Sequence, residues 1–527
     1  MPPNEVIAMP ERFRERNVVQ KDWRKVKLRV ALCYPNAYRV GMTSLAVHLL
    51  YAYFNENPDA VCERVFHVPG EIPRSLESGQ PLSKFDVIAF SLQFETDFVH
   101  AIEMLVRSGI PPLSADRTRP WVIIGGPCAT SNPFPILPFV DVVHLGDIEP
   151  VFSQLLAALI SAHDQADLRT QLDSHFLFAA RDTGVRAFAT DLDSALHPQC
   201  QILPVPPYPS ELEPTFGQSL LVEISRGCDH RCNFCMTSYH CRARRERSLE
   251  TLKHIIEDGT RCSQVDKVAL LASGFSDYSQ LTPLLSFIIN EGYQLSVPSL
   301  RADLPDLGIL PLIYEGKQRT LTFAPEAGSE RLRTLIGKSI SDDTFLQAFE
   351  AALKAGFTQF KLYFMIGLPT ETDEDIQAIC DFCVKLLTLT EKSHRIHVGV
   401  SPFIPKPHTP YQWVGLTPPN TLKKRLKLLE RLRRYGKIHL DLSNPRWAVI
   451  QATLARGSSA LAQLILDVAK QEKATAGTWF QAAKQRGMNL ETLATADYPT
   501  DVSFTWDRID VGVNRNILLR RFAKLEQ

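Results

Sequence analysis

The chain has 527 residues, 45% of them hydrophobic and 22% charged, which is typical of a globular protein and excludes a disordered or fibrous one. Its 58 basic residues equal its 58 acidic residues, so no overall field attracts nucleic acid or anionic lipid. The length exceeds what one hydrophobic core organises, and about three domains are expected.

The location expected from these numbers is the cytoplasm. The N-terminus lacks the apolar core of a secretory signal, and no later segment approaches the roughly 20 apolar residues that cross a bilayer. The 11 cysteines are odd in number and mostly scattered, which favours a reducing compartment over a disulfide framework.

Residues 1–162 are predicted to form an α/β domain with a doubly wound, flavodoxin-like sheet. Short apolar runs alternate with helix-length amphipathic segments from residue 27, and the five predicted strands are VKLRVALCYP, AVCERVFHV, DVIAFSLQF, WVIIGGP and DVVHLGD. Ligands of this fold bind beyond the carboxyl ends of the strands. Those ends carry candidate binding residues, although the same residues also suit ordinary turns: Tyr34, Asn36, Ser91, Leu92, Gly125, Gly126 and Gly146.

Three further regions follow. Residues 163–218 lose the alternation and end in a proline-rich stretch, which predicts a packed linker. Residues 219–415 contain a second α/β series of six strands, each followed by a helix, which predicts a partial (β/α)6 barrel with its chemistry at the carboxyl-end loops. Residues 416–527 are predicted to be a small α-rich extension.

A dense group of cysteines follows the first strand of the second series. Cys228, Cys232 and Cys235 form a CxxxCxxC motif of soft thiolate ligands, which suits an iron–sulfur cluster or zinc. Three thiolates on a [4Fe–4S] cluster leave one iron open, and that iron can chelate the amino and carboxylate groups of S-adenosylmethionine (SAM). The alternative is structural zinc, completed by His230, His240 or Cys241, but zinc motifs normally pair two CxxC units.

The motif, with an aromatic residue before its last cysteine, resembles the signature of the radical SAM superfamily. Two later stretches strengthen the likeness: residues 323–330, FAPEAGSE, resemble an APE-containing strand, and residues 367–372, GLPTET, resemble a GLPGET turn. The resemblance implies SAM contacts at the strand ends, with Phe234 beside the adenine. The SAM-binding residues it implies are Phe234, Ser273, Gly274, Ser299, Arg301, Glu326 and Gly367.

An α/β sheet upstream of such a barrel resembles cobalamin-dependent, class B members of the superfamily, and later phrases such as VSPFIPKPHTPYQW resemble a bacterial branch defined by sequence alone. The resemblance implies a cobalamin between the domains, bound by the seven strand-end residues named above, with its nucleotide tail surrounded by Ser91-Leu92 and Gly125-Gly126. The loop YPNAYRVGM lacks the DxHxxG motif whose histidine coordinates cobalt in methionine-synthase-like domains, so no histidine is expected beneath the metal.

The function that this resemblance implies is methylation of an unactivated carbon through a 5′-deoxyadenosyl radical and methylcobalamin. The implied substrate is a small or lipid-like molecule, and the implied reductant is a ferredoxin or flavodoxin. One alternative is radical cyclisation or rearrangement without methyl transfer. Another is modification of tRNA or other RNA, recognised through the arginines that follow the cysteines. A non-enzymatic cobalamin carrier would not need the cysteine motif.

Several other features have ordinary structural interpretations. The run Arg242, Arg244, Arg245 and Arg247 can grip a phosphate or can form ion pairs over its own loop. The basic segment 423–437 repeats leucine at helical spacing, which indicates a solvated face over a packed stripe. Cys380 and Cys383 lie three residues apart on one predicted helix and are expected in the core. His408 either lines the open end of the barrel or is simply held rigid by the prolines beside it.

Overall fold

The structure, a computed structural model, describes residues 13–179 and 182–525. Its N-terminal part contains these strands: β1 (Glu15–Arg16), β2 (Leu28–Tyr34), β3 (Ala60–Phe66), β4 (Val87–Ser91), β5 (Trp121–Gly125), β6 (Val142–His144), β7 (Phe176–Leu177), β8 (Gly184–Val185) and β9 (Leu203–Pro204). Its helices are α1 (Tyr38–Gly41), α2 (Leu45–Glu56), α3 (Asp97–Arg107), α4 (Pro127–Ser131), α5 (Phe152–Ser161) and α6 (Gln165–Gln171).

The main N-terminal sheet has the order β3-β2-β4-β5-β6-β7, in which the first five strands are parallel and β7 is antiparallel to β6. The five predicted strands are all present. Because β2 pairs with β3 on one side and β4 on the other, the connection reverses direction there, as in a flavodoxin-like sheet. The predicted doubly wound fold is therefore confirmed.

The central part contains these strands: β10 (Leu220–Glu223), β11 (Ser225–Arg226), β12 (Arg245–Glu246), β13 (Lys267–Leu271), β14 (Gln294–Ser296), β15 (Thr320–Glu326), β16 (Gln359–Ile366), β17 (Arg395–Pro402) and β18 (Ile438–Leu442). Its helices are α7 (Thr237–His240), α8 (Leu249–Ser263), α9 (Leu281–Asn290), α10 (Ile309–Glu315), α11 (Glu330–Leu335), α12 (Asp342–Lys354), α13 (Asp373–Thr388) and α14 (Pro419–Leu429).

Seven of these strands form two parallel sheets, β10-β13-β14 and β15-β16-β17-β18, and β11 pairs with β12 in antiparallel orientation. A single bridge between Leu300 and Phe323 connects the sheets, and the barrel does not close within the described residues. All six predicted strands are present. The seventh, β18, comes from the segment that the sequence analysis assigned to the C-terminal extension, because it pairs in parallel with β17.

The helices of this part begin where the sequence supplies caps. Ser248 and Ser341 accept hydrogen bonds from backbone N–H groups at the starts of α8 and α12. Thr372 and Asp375 form a capping box at the start of α13. Each helix then buries an apolar stripe against the sheet. On α13 this stripe includes Cys380 and Cys383, which confirms their predicted place in the core.

The C-terminal part adds strand β19 (Ile509–Asp510) and the helices α15 (Pro445–Ala455), α16 (Ala462–Ala469), α17 (Ala476–Gln485), α18 (Leu490–Thr495) and α19 (Arg515–Phe522). It is α-rich, as predicted. On α14, Leu422, Leu426 and Leu429 are buried while the neighbouring lysines are exposed, which confirms the packed stripe.

Two further observations concern the whole chain. Within the described residues, no helix is both long and apolar enough to cross a membrane. Cys200 of the linker and Cys262 of α8 are joined as a disulfide, which the sequence analysis did not predict. The reason is that the pair is 62 residues apart in the chain, and only folding brings the two Cα atoms to 5.2 Å.

Candidate functional site

The cysteine loop, defined as residues 227–241, leaves the sheet directly after β11. Gly227 has φ +86°, and a Cβ there would lie 2.3 Å from the carbonyl oxygen of Cys241. Only glycine therefore lets the two ends of the loop meet. The carboxyl ends of β13, β14 and β15 lie beside the loop, because parallel strands of one barrel end at the same edge.

The thiols of the loop lie close enough to one another to affect each other's ionisation. Burial raises the pKa of Cys228 and raises that of Cys232 to about 11, and the charge of Cys235 acts in the same direction on both. The positive charge of Arg301 opposes this rise at Cys228 and Cys232, and Lys338 also opposes it at Cys232. These cations favour the thiolate form, which is the form that binds iron.

The candidates for a fourth metal ligand are engaged elsewhere. His230 Nε2 lies 2.9 Å from Asp277 Oδ2, and His240 Nε2 lies 3.1 Å from the carbonyl oxygen of Pro407. Cys241 lies beside Asp147 and lines a different cavity. Among the described residues, no three His, Cys, Asp or Glu side chains are gathered closely enough to hold a single metal ion. His230, His240 and Cys241 thus have other neighbours, and the assignment of the three remaining thiols to an open-iron cluster stays a prediction.

Gly274 lies beside the first cysteine. Gly274 is buried, and a Cβ there would be 3.7 Å from Cys228 Sγ and 2.6 Å from Asp277 Oδ2, so a larger residue would clash with the Asp277 carboxylate. Burial acts to raise the pKa of Asp277, but His230, Arg244 and Arg301 outweigh it and lower that pKa. Sequence reasoning missed this carboxylate, because it looked for an acidic residue directly after Gly274 rather than three residues later.

Charged side chains from the next two strand ends complete this edge. Arg301, after β14, pairs with Asp303 at 2.7 Å and affects the two buried cysteines electrostatically, while Ser299 is exposed nearby. Glu326, at the end of β15, has φ +69° and accepts a hydrogen bond from Lys338 Nζ at 3.1 Å. Lys338 is a second residue that sequence reasoning missed, since nothing in its neighbourhood of the chain marks it.

The remaining SAM candidates lie at different depths. Ser273 is exposed next to Gly274. Phe234 is partly buried and packs against an apolar cluster that includes Leu368 of the GLPTET turn. Gly367 is buried, donates its N–H to Glu371 and has φ +80°, and a Cβ there would meet Leu422 at 2.8 Å. The structure thus shows a packing reason for Gly367, and its predicted contact with SAM stays a prediction.

The C-terminal helix holds the cysteine loop from outside. Arg521 of α19 donates from Nε to Asn233 Oδ1 at 2.8 Å and from Nη2 to the carbonyl oxygen of Arg231 at 2.5 Å. Asn233 in turn donates through Nδ2 to the carbonyl oxygen of Leu335 at 2.8 Å. Arg231 and Asn233, which lie between the cysteines, are therefore held by residues far away in the chain. Leu335 is about 100 residues from Asn233, and Arg521 is about 290 residues from Arg231.

A second feature, the interdomain cavity, has a volume of about 350 Å³ and lies between the N-terminal sheet, α2 and the cysteine loop. Four predicted cobalamin residues line it, namely Ser91, Gly125, Gly126 and Gly146. From the other side it is lined by the segment immediately after Cys235, which contributes Met236, Thr237, His240 and Cys241. The structure thus brings strand ends and cysteine loop to one cavity.

The other three predicted cobalamin residues do not line this cavity. Tyr34 is 3% exposed and packs in the core, and Asn36 donates to Asp97 Oδ1 at 3.4 Å. Leu92 is buried behind Gly126, where φ is +107° and an added Cβ would lie 2.5 Å from the Leu92 carbonyl oxygen. His144, which sequence reasoning missed, does line the cavity; its Nε2 has no partner among the described residues, and burial lowers its pKa to about 4.

The rim of the interdomain cavity joins the two domains through charges. Arg226 forms ion pairs with Asp147 at 3.0 Å, Glu149 at 2.8 Å and Glu223 at 2.8 Å. Arg245 pairs with the same Asp147 at 2.6 Å.

The arginine run is therefore mostly turned inward. Arg245 and Arg247 are 8% and 2% exposed, and Arg244 pairs with Glu246 at 2.5 Å. These residues are engaged within the protein, which removes the main support for recognition of RNA through this run.

Comparison with known proteins agrees with this arrangement. Residues 222–383 match the family described as the radical SAM superfamily, and residues 46–178 match the one described as radical SAM proteins, N-terminal. An uncharacterised protein of Methanocaldococcus jannaschii is 32% identical, over 83% of this chain and 90% of its own length. An uncharacterised methyltransferase of Pyrococcus horikoshii is 28% identical over 50% of this chain and 58% of its own length.

Among solved structures, the cobalamin-dependent SAM radical enzyme OxsB, with aqua-cobalamin and SAM bound, superposes with a TM-score of 0.50. The match covers 95% of this chain and 79% of OxsB at 13% identity, so it shows a shared fold. The chain belongs to the radical SAM superfamily. It is a radical SAM enzyme, and the cofactors of that family are a [4Fe–4S] cluster and SAM.

Proposed function

We propose that this chain is a cobalamin-dependent radical SAM enzyme that transfers a methyl group to an unactivated carbon. The observation that carries the proposal is the interdomain cavity, because one wall is formed by strand ends of a flavodoxin-like sheet and another by the residues directly after Cys235. A group bound there would lie between the two domains and next to the cysteine loop.

When bound, the [4Fe–4S] cluster supplies the electron that cleaves SAM to a 5′-deoxyadenosyl radical, and cobalamin supplies the methyl group. In this proposal Cys228, Cys232 and Cys235 hold the cluster. The SAM amino group would lie beside Gly274 and the Asp277 carboxylate. Arg301 and Lys338 oppose the burial-induced rise in the pKa of the cysteine thiols and would offer positive charge to the SAM carboxylate.

For cobalamin, the residues present fit the nucleotide tail. The interdomain cavity of about 350 Å³ suits a group of nucleotide size, not a whole corrinoid. Its walls are mainly apolar, with Leu45, Leu49 and Leu50 on α2, and His144 Nε2 supplies one unpartnered polar atom. No histidine occupies the loop after β2, residues 35–37, so the chain provides no cobalt ligand there.

The names of the relatives support transfer of a methyl or methylthio group. The Pyrococcus horikoshii protein is named a methyltransferase, and a 23% identical Synechococcus protein, over 43% of this chain and 51% of its own length, is named a ribosomal protein uS12 methylthiotransferase. OxsB is named as cobalamin-dependent. A small or lipid-like substrate remains the proposed class, because Arg244, Arg245 and Arg247 are engaged within the protein and are not free to bind RNA.

The test begins with cobalamin binding. The full chain is reconstituted anaerobically with iron, sulfide and hydroxocobalamin and passed through gel filtration, and we expect stoichiometric cobalamin to elute with the protein. Ala46→Trp, which fills the interdomain cavity from α2, should abolish retention, whereas Ala52→Trp on the opposite face of the same helix should not. Absence of cobalamin from the wild-type eluate would overturn the proposal.

Product analysis then decides the reaction. Incubation with SAM, a reductant and a metabolite extract should yield both 5′-deoxyadenosine and S-adenosylhomocysteine. Formation of 5′-deoxyadenosine alone would contradict methyl transfer and favour cyclisation or rearrangement.

A further inference from the structure

A second cavity, here called the α2–α8 cavity, lies on the other face of α2 and has a volume of about 570 Å³. His48, Tyr51 and Asn55 line it, whereas Leu45 and Leu49 on the same helix line the interdomain cavity. The opposite walls come from α8, the linker around residues 195–202, and Arg247. None of the residues assigned above to the cluster, SAM or cobalamin lines it.

Arg247 places a buried positive charge in this wall. The side chain is 2% exposed, and its Nη1 donates to the backbone carbonyl oxygens of Leu192 and Ala195. Its Nε has no hydrogen-bond partner, and no described carboxylate lies within ion-pair distance of the guanidinium. Burial lowers the pKa of Arg247, with Glu223, Glu149 and Asp193 opposing from farther away. Glu56 and Asp193 also line the cavity, but neither is within ion-pair distance of Arg247. An arginine stays charged, so this buried cation has no directly paired carboxylate among the described residues.

Two buried histidines add complementary hydrogen-bonding atoms. His48 is 3% exposed, and its Nε2 donates to the Met42 carbonyl oxygen at 3.1 Å, which leaves Nδ1 as an acceptor. His197 is 8% exposed, and its Nε2 accepts from the backbone N–H of Glu223 at 3.4 Å, which leaves Nδ1–H as a donor. Neither Nδ1 has a well-aligned hydrogen-bond partner among the described residues, and the ring of His197 also interacts with the backbone of Pro198. Burial lowers the pKa of His48 to about 4 and that of His197 to about 3, so both rings are neutral near pH 7.

We infer that the α2–α8 cavity binds a small oxyanion that also carries an O–H group, such as hydrogen phosphate or a phosphate monoester. Arg247 Nε–H and His197 Nδ1–H would donate to the anionic oxygens, and His48 Nδ1 would accept from the O–H. The site thus offers a cationic donor, a neutral donor and one acceptor. Hydrogen phosphate can satisfy all three because it carries an O–H group, whereas sulfate has no O–H for the acceptor. The inference is independent of the function proposed above.

The test uses the full reconstituted chain and inorganic phosphate as the probe. Thermal unfolding is followed at pH 7 while phosphate replaces chloride at constant ionic strength. A specific site predicts a saturable rise in Tm, because a ligand that binds only the folded state stabilises it by mass action. Sulfate at the same ionic strength should give a much smaller rise, since it lacks the O–H that His48 would accept.

Variants locate the effect. Arg247→Gln and His197→Phe should each weaken phosphate binding at least tenfold, and Arg261→Gln, which changes an exposed arginine on α8, should leave it unchanged. His197→Phe keeps the buried arginine and serves if Arg247→Gln does not fold. Equal Tm in phosphate and chloride, unchanged phosphate binding in the two cavity variants, or equal effects of sulfate and phosphate would each overturn the inference. Cobalamin retention by Ala46→Trp does not bear on this result.

Discussion

The cysteine loop and the interdomain cavity are neighbours, yet they are built in opposite ways. The loop carries its three thiols within eight consecutive residues, Cys228 to Cys235, and its surroundings are charged. The cavity takes its walls from four strand ends, α2 and the loop, and these walls are mainly apolar. A site whose residues all lie in one short segment can be identified from the sequence of that segment. A site whose residues come from distant segments can be identified only once the packing of those segments is known.

The largest effect should follow from changing the loop itself. Replacing Cys228, Cys232 or Cys235 by alanine should remove the cluster and reduce SAM cleavage to background, measured as iron content and 5′-deoxyadenosine after anaerobic reconstitution. Cys241→Ala is the matched control, since Cys241 lines the interdomain cavity and should not be a ligand. Loss of iron in Cys241→Ala would show that the loop has four ligands and would break the comparison.

A smaller effect is expected at the charged junction between the two sites. Arg245→Ala leaves Asp147 partly unpaired in a buried position and should lower the free energy of unfolding by about 3 kcal/mol. Arg242 is the control, because its guanidinium lies 3.9 Å from Asp229 near the surface, and Arg242→Ala should cost less than about 1 kcal/mol. Urea denaturation measures both, and equal costs would show that the junction is not held by this ion pair.

Within the cavity wall, Gly126 provides a test of backbone fit. Gly126→Ala should cost about 1–3 kcal/mol, because φ is +107° and the added Cβ would lie 2.5 Å from the Leu92 carbonyl oxygen. Gly70→Ala also places alanine at positive φ, +84°, but its Cβ would meet nothing within 4 Å. A larger loss in Gly126→Ala than in Gly70→Ala, by urea denaturation, isolates the steric contact; equal losses would mean that backbone strain alone matters.

The smallest of these effects should come from outside the loop. Arg521→Ala removes the donors to Asn233 Oδ1 and the Arg231 carbonyl and should cost about 1–2 kcal/mol, while speeding cluster loss to a chelator. Arg521→Lys should slow cluster loss only partly, because the lysine ammonium can donate to one of the two acceptors but cannot reproduce the two-pronged contact of the guanidinium. Arg520→Ala, at the exposed adjacent position, should leave the rate of cluster loss unchanged. Wild-type rates in Arg521→Ala would contradict the bracing role of α19.

The sequence alone determined the strands, most helices and the cysteine motif of this protein. Short apolar runs separated by amphipathic helices predict parallel strands, because a strand that is buried on both faces needs apolar residues along its whole length. The CxxxCxxC motif is contiguous, so it can be identified without knowing how the chain folds. Asp277, Lys338 and His144 could not be identified in this way, since each acquires its neighbours only through packing.

Tertiary structure decided everything that joins distant segments. It added β18 to the barrel sheet, turned Arg245 toward Asp147, tied Arg521 to Asn233 and left Tyr34 in the core instead of the cavity wall. The physical reason is that periodicity states which face of an element is buried, but not which other element covers it. That choice depends on shape, charge and loop length summed over the whole chain.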